Sequence, residues 1–209
     1  MVPYYSELLD LVYASAIGTA FYMQGQVYYK PLVQMIGVQS ALIALASALA
    51  YLEFGSMDLL VLAGVLILVR GLLTPTIILR EVGERYGQRE RTTGFASLLV
   101  VDLGFFFTVV FILYHFVIQR LFPSEFELVF ALSLLFQGLY LIASRNSTPA
   151  QILGYIEEEN ALVVFGMALI PIPLLIEASV LLDVLALVVN ATVVIRERKF
   201  HIPLEELRG

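Results

Sequence analysis

Apolar stretches close to the length of a bilayer crossing recur along this chain, and short polar breaks separate them. That spacing constrains the fold more than any other feature. A helix rising 1.5 Å per residue needs about 20 residues to cross a hydrocarbon core. Seven stretches approach this length: 6–28, 31–52, 57–80, 95–118, 125–143, 150–170 and 172–195. The breaks are Lys30-Pro31, Glu53 to Asp58, Arg80 to Arg91, Pro123-Ser124-Glu125 and Arg145 to Pro149. Backbone amides cannot go unpaired in lipid, so each stretch is predicted to be a helix packed on others. Composition agrees: 60% of residues are hydrophobic and 14% charged, against roughly 45–50% and about 25% in soluble domains. A soluble bundle would show a polar stripe along each helix, and most of these stretches lack one. The expected fold is an all-α membrane protein of about seven transmembrane helices.

Basic residues orient it. With seven spans the termini face opposite sides, and a cytoplasmic C-terminus puts Lys30, Arg80, Arg85, Arg89, Arg91, Arg145, Arg196, Arg198, Lys199 and Arg208 inside. Only Arg120 falls outside, and Arg70 lies within a span. This is the asymmetry of the positive-inside rule, and it predicts an external N-terminus and a multi-pass protein of the cytoplasmic membrane. The connection between spans 6 and 7 has two parses. Either the turn sits near Pro171 and Pro173, or span 6 ends at Ile176 and Glu157, Glu158 and Glu159 fall in the cytoplasmic loop. The second leaves a span below the usual minimum of roughly 17 residues, which favours the first.

Several functions are excluded. The chain has no cysteine, hence no disulfide and no thiolate ligand for zinc or iron–sulfur clusters. His115 and His201 lie too far apart in sequence to suggest a metal site. A net charge of −6 gives no reason to expect nucleic acid. The first residues lack the basic region of a cleaved signal, so the first apolar stretch is expected to remain as a helix. No internal repeat or low-complexity tract stands out.

Ionisable side chains at membrane depth cost about 2.5–3.5 kcal/mol on insertion scales and generally mark ion or proton pathways. The candidates are Arg70, Asp102, Glu157, Glu158, Glu159, Glu177 and Asp183. Glu159 is expected near mid-membrane, whereas Glu157 and Glu158 either join it or reach the cytoplasmic interface. Asp183 is also deep and shares a helical face with Asn190. Antiparallel packing of spans 6 and 7 would let Glu159 and Asp183 face each other, as relay acids or as structural acids bonded to backbone. Glu177 is shallower, an exit group or an interfacial one. Arg70 and Asp102 lie at similar depths, which predicts an ion pair that is structural or that holds a relay carboxylate ionised.

These residues bring a family into view. Gln39-Ser40, Arg70-Gly-Leu-Leu-Thr-Pro75, Arg145-Asn146, Gln151-Ile-Leu-Gly-Tyr155 with Glu159-Asn160, Glu177 with Asp183, and the final Leu-Arg-Gly span nearly the whole chain. In these pieces the chain resembles the E-type membrane subunit of hydrogenase-4 and related formate hydrogenlyase complexes. The last three helices of that subunit are similar to the small K subunit of complex I. The resemblance implies a four-helix part over 1–124 and a K-like three-helix part with a short cytoplasmic tail over 125–209. It implies that Glu159 and Asp183 occupy the places of two mid-membrane carboxylates. Three departures stand out: arginine at position 70 where relatives carry lysine, the additional Glu157 and Glu158, and one residue inserted between Asn146 and Gly154.

The expected function is therefore that of a non-catalytic subunit of an energy-converting hydrogenase or formate hydrogenlyase. Its carboxylates would join a path coupling electron transfer to proton or sodium translocation. The chain is expected to bind no cofactor itself, with a nickel–iron centre and iron–sulfur clusters in partner subunits. Its partners would be the lipid bilayer, antiporter-like and quinone-module-like membrane subunits, and a peripheral hydrogenase arm docking on Arg80–Arg91 and the tail from Arg196. Two other classes remain open: a small subunit of a multisubunit cation/proton antiporter, and a freestanding seven-helix carrier or sensor. Co-purifying nickel–iron protein separates the first from the hydrogenase reading, and activity of the lone chain identifies the second.

Overall fold

The computed structural model describes residues 3–83, 95–122, 127–169 and 181, and these are helical with short connections and no strand. Helix α1 spans Pro3–Gln24 and α2 spans Tyr29–Phe54. Helix α3 starts as Met57–Val65, widens to π-helix over Leu66–Leu73 and ends as Thr74–Gly83. Helix α4 runs through Phe95–Ile112, a π-helical Leu113–Ile118 and a last turn at Gln119–Leu121. Helices α5, Glu127–Ser144, and α6, Thr148–Leu169, follow as an antiparallel hairpin. Each falls on one of the first six apolar stretches, with ends shifted by a few residues. The seventh stretch, with Glu177, Asp183 and Asn190, lies outside the described residues, as do most of the Arg80–Arg91 loop and the tail from Arg196.

Among the described residues, four helices are long and apolar enough to cross a membrane: Tyr29–Phe54, Met57–Arg80, Leu98–Leu121 and Glu127–Ser144. The chain is thus built for association with a lipid bilayer. Side-chain placement carries the same message, because it inverts the pattern of a soluble protein. Val100, Phe107 and Leu68 are 69%, 66% and 64% exposed, while Gln39, Gln137, Asp102, Glu157 and Asn160 are fully buried. In water such an apolar surface would aggregate; in lipid it is the solvated face.

Local chemistry sets the helix ends. The sequence predicts the first helix to run to position 28, but it stops at Gln24. Gly25 follows, and the buried guanidinium of Arg145 donates from Nη2 to the carbonyls of Met23 (3.1 Å), Gln24 (2.8 Å) and Gln26 (3.0 Å). Carbonyls left over at a helix end need donors, and a charged fork from α5's C-terminal end supplies them. Helix α2 stops at Gly55, whose φ of 68° is the left-handed conformation that glycine adopts without a Cβ penalty. The Gly55 N–H closes on the Tyr51 carbonyl at 2.7 Å.

Two close crossings hold the bundle. At the α5–α6 crossing, a Cβ on Gly138 would stand 2.9 Å from the Gly154 carbonyl oxygen, and one on Gly154 would stand 2.9 Å from that of Gly138. Only glycine at both positions lets the backbones approach this closely, as small residues do in membrane bundles. At the α2–α3 crossing, a Cβ on Gly37 would stand 3.0 Å from the Gly71 oxygen and 3.2 Å from Cγ of Pro75. The π segment precedes that proline. Pro75 has no N–H and its ring crowds the carbonyl four residues back. The ladder ahead of it is shifted, with Thr74 N–H bonding to Val69 O five residues earlier. One hydrophobic cluster, from Leu9, Tyr13 and Ile43 through Leu66 to Leu134 and Val164, draws on both sides of position 124.

Candidate functional site

Polar side chains gather in the middle of the bundle because helix counting brings them to one level. At 1.5 Å per residue, Gln39 lies roughly 15 Å from the Tyr29 end of α2, and Glu157 roughly 14 Å from the Thr148 end of α6. Arg70 lies roughly 15 Å before Arg80 on α3. Helices α3 and α6 both pack on α2, so side chains equal in depth can meet.

They do. Gln39 Nε2 donates to Glu157 Oε1 at 3.4 Å and to the Ala16 carbonyl of α1 at 3.4 Å. Asn160 Nδ2 donates to Gln39 Oε1 and to Ser40 Oγ, each at 3.0 Å. Ser40 Oγ lies 3.0 Å from the Ile36 carbonyl and 3.3 Å from Asn160 Oδ1. Arg70 Nη1 donates to Asn160 Oδ1 at 3.4 Å, and Arg70 Nη2 stands 3.9 Å from Glu159 Oε2. A circuit therefore runs from Glu157 through Gln39, Asn160 and Arg70 to Glu159. The two acids are two residues apart on α6 and diverge by about 200° around the helix axis. They are joined through Gln39 of α2 and Arg70 of α3, with Asn160 of their own helix between the two.

The circuit corrects one expectation. Arg70 and Asp102 do not pair. Similar depth made the pair plausible, but depth says nothing about which helices are neighbours. Arg70 is on α3, which packs on α2; Asp102 is on α4, which packs on α5 and α1. Arg70 instead reaches α6, and Asp102 lies beside Gln137 of α5. The three glutamates also sort differently from their order in depth. Glu157 is fully buried and hydrogen-bonded, while Glu158 and Glu159 are half-buried. Glu158 packs its Cγ over Gly138. The facing of Glu159 and Asp183 concerns a residue outside the described set, as do the roles of Glu177 and Asn190.

No family model, curated protein or solved structure matches this chain. Function must be read from the site itself. Among the described residues no three His, Cys, Asp or Glu side chains come together as a metal site. His115 is exposed near the end of α4, bonded to Gln119 at 3.2 Å and packed edge-on against Phe111. The site instead offers the fully buried Glu157, the partly exposed Glu159, a buried permanent cation and a set of buried amides. Arginine does not give up its proton in proteins, so Arg70 contributes a fixed field and the carboxylates are the groups able to exchange protons.

Sequence reasoning weighed ionisable residues and undervalued neutral amides. Gln24, Gln39, Gln137 and Asn160 are all fully or almost fully buried. Gln24 Nε2 donates to the Gln137 carbonyl at 3.1 Å, tying α1 to α5. The signal was available, since an amide at mid-span without partners is itself costly. Arg145, assigned only to the cytoplasmic side by charge counting, is 2% exposed and does a structural task.

Proposed function

We propose that this chain is a non-catalytic subunit of an energy-converting nickel–iron hydrogenase or formate hydrogenlyase complex in the cytoplasmic membrane. In this reading it crosses the bilayer seven times, with its N-terminus outside, its C-terminus inside and its last three helices K-like. Glu157 and Glu159, with Glu158 between them, belong to a proton path that continues to Asp183, Asn190 and Glu177 on the seventh helix. The nickel–iron centre and iron–sulfur clusters reside in partner subunits, and this chain supplies protonatable groups and a fixed cation.

The observation that carries the proposal is the buried circuit Glu157–Gln39–Asn160–Arg70–Glu159. Buried acids in an otherwise apolar bundle are expensive, and here they are held by specific donors on two other helices, Gln39 of α2 and Arg70 of α3. Amides do not relay protons, so the circuit couples the acids by orientation and field. A proton change at Glu157 alters its bond to Gln39, which shifts Asn160 and the Arg70 charge facing Glu159. Coupling of this kind suits a subunit that passes a disturbance sideways to its neighbours.

Purification in mild detergent tests the partnership: nickel–iron protein should travel with the chain. Glu157→Gln and Glu159→Gln should each leave the complex assembled and hydrogen production intact while lowering proton translocation. Co-purification with antiporter subunits and no nickel, or full activity of the chain alone, would overturn the proposal.

A further inference from the structure

A second group of buried polar atoms stands apart from the circuit, between α4 and α5. Among the described residues, both carboxylate oxygens of Asp102 and both polar side-chain atoms of Gln137 are shut off from solvent with no hydrogen bond of ordinary geometry, and both residues are fully buried. Gln137 lies beside Asp102, near enough for its amide to interact with the carboxylate though outside ordinary hydrogen-bond geometry. Ser133, one turn from Gln137 on the same face of α5, is buried, and its Oγ also has no partner among the described residues. Native interiors pair their buried polar atoms, and a concentration of exceptions calls for a ligand or bound water.

We propose that Asp102 and Gln137, with Ser133 one turn away, hold a monovalent alkali cation, sodium. The donors are a carboxylate, an amide carbonyl and a hydroxyl, all hard oxygens, with no nitrogen or sulfur ligand to favour a transition metal. No salt bridge neutralises Asp102 among the described residues. One carboxylate and one monovalent ion make a neutral unit, which a low-dielectric interior tolerates; a divalent ion would leave unbalanced charge. Waters complete the shell, since sodium takes more donors than these side chains provide. The register of the two helices is pinned on one side of the pair: Tyr140 Oη donates to the Leu98 carbonyl at 2.9 Å, and Phe105 stacks on Tyr140 at 5.5 Å. The donors are thus preorganised by aromatic contacts that do not themselves need the ion. The site stands whether or not the chain belongs to a hydrogenase complex.

The test uses the full chain as purified, with whatever partners it retains. Thermal unfolding is followed in sodium chloride and in choline chloride at equal ionic strength, alongside equilibrium binding of radioactive sodium. Sodium should bind and stabilise, because an ion held only by the folded state raises its stability. Asp102→Asn should lower sodium affinity by about tenfold or more, and Gln137→Leu should lower it as well, while Asp10→Asn in α1 should not. If Asp102→Asn is not recovered folded, Gln137→Leu decides. Absence of sodium binding, undiminished binding in the decisive variant, or stabilisation by calcium and not by sodium would overturn the proposal.

Discussion

At the scale of single residues, Asn160 is the hub of the buried circuit. Its amide donates to Gln39 and Ser40 and its carbonyl accepts from Arg70. Removing it leaves three buried partners short of a bond, and each unsatisfied group costs about 1–3 kcal/mol. Asn160→Ala is therefore expected to destabilise the protein by at least one such increment, read as unfolding in mixed micelles. Asn160→Asp should be tolerated less well than its shape suggests, because it replaces the donor that Gln39 and Ser40 share. Arg145 offers a second test. It serves three carbonyls at the end of α1 from one guanidinium nitrogen, and bonds from charged donors are worth about 1.5–3 kcal/mol. Arg145→Ala should loosen α1, seen as faster amide exchange at Gly25 to Val27, and Arg145→Lys should restore only part of the protection because its ammonium sits on a flexible stem and is not held in place by a planar group.

At the scale of helices, close approach and a shifted ladder position the polar groups. The glycine pair brings the backbones of α5 and α6 into close contact. Overpacking in a tight contact costs about 1–3 kcal/mol, so Gly138→Ala and Gly154→Ala should each destabilise by that order. Gly64→Ala meets nothing within 4 Å and should be neutral or slightly stabilising, since alanine exceeds glycine in helix propensity by roughly 0.8–1 kcal/mol. Comparing unfolding midpoints of the three variants checks it. The π segment of α3 has an equally local cause in Pro75. Arg70 lies within this segment, buried and reaching Asn160 and Glu159 of α6.

At the scale of the whole molecule, the apolar exterior and polar interior define a membrane protein, and the charge pattern predicts which end faces which side. The chain has no cysteine, so single cysteines report cleanly. Lys30→Cys should react with an impermeant maleimide only in inside-out vesicles, and Arg120→Cys, exposed beside Phe116, only in right-side-out cells. The opposite result at either position would reverse the topology.

Helix existence and the membrane class were legible in the linear sequence because both depend on local quantities, the run length of apolar residues and the cost of unpaired backbone in lipid. The depths of Arg70, Asp102 and the glutamates followed from the same counting. Lateral neighbours did not, because one sequence of depths is compatible with many arrangements of helices around a bundle. Arg70 could be read as the partner of Asp102 until packing put α3 against α2 and reached α6. The choice among the glutamates also needed the fold, since a helix turns about 100° per residue and burial depends on what each direction meets. Tertiary contact alone decided that Glu157 points to Gln39, that Asp102 lies with Gln137, and that glycines at 138 and 154 bring α5 and α6 together.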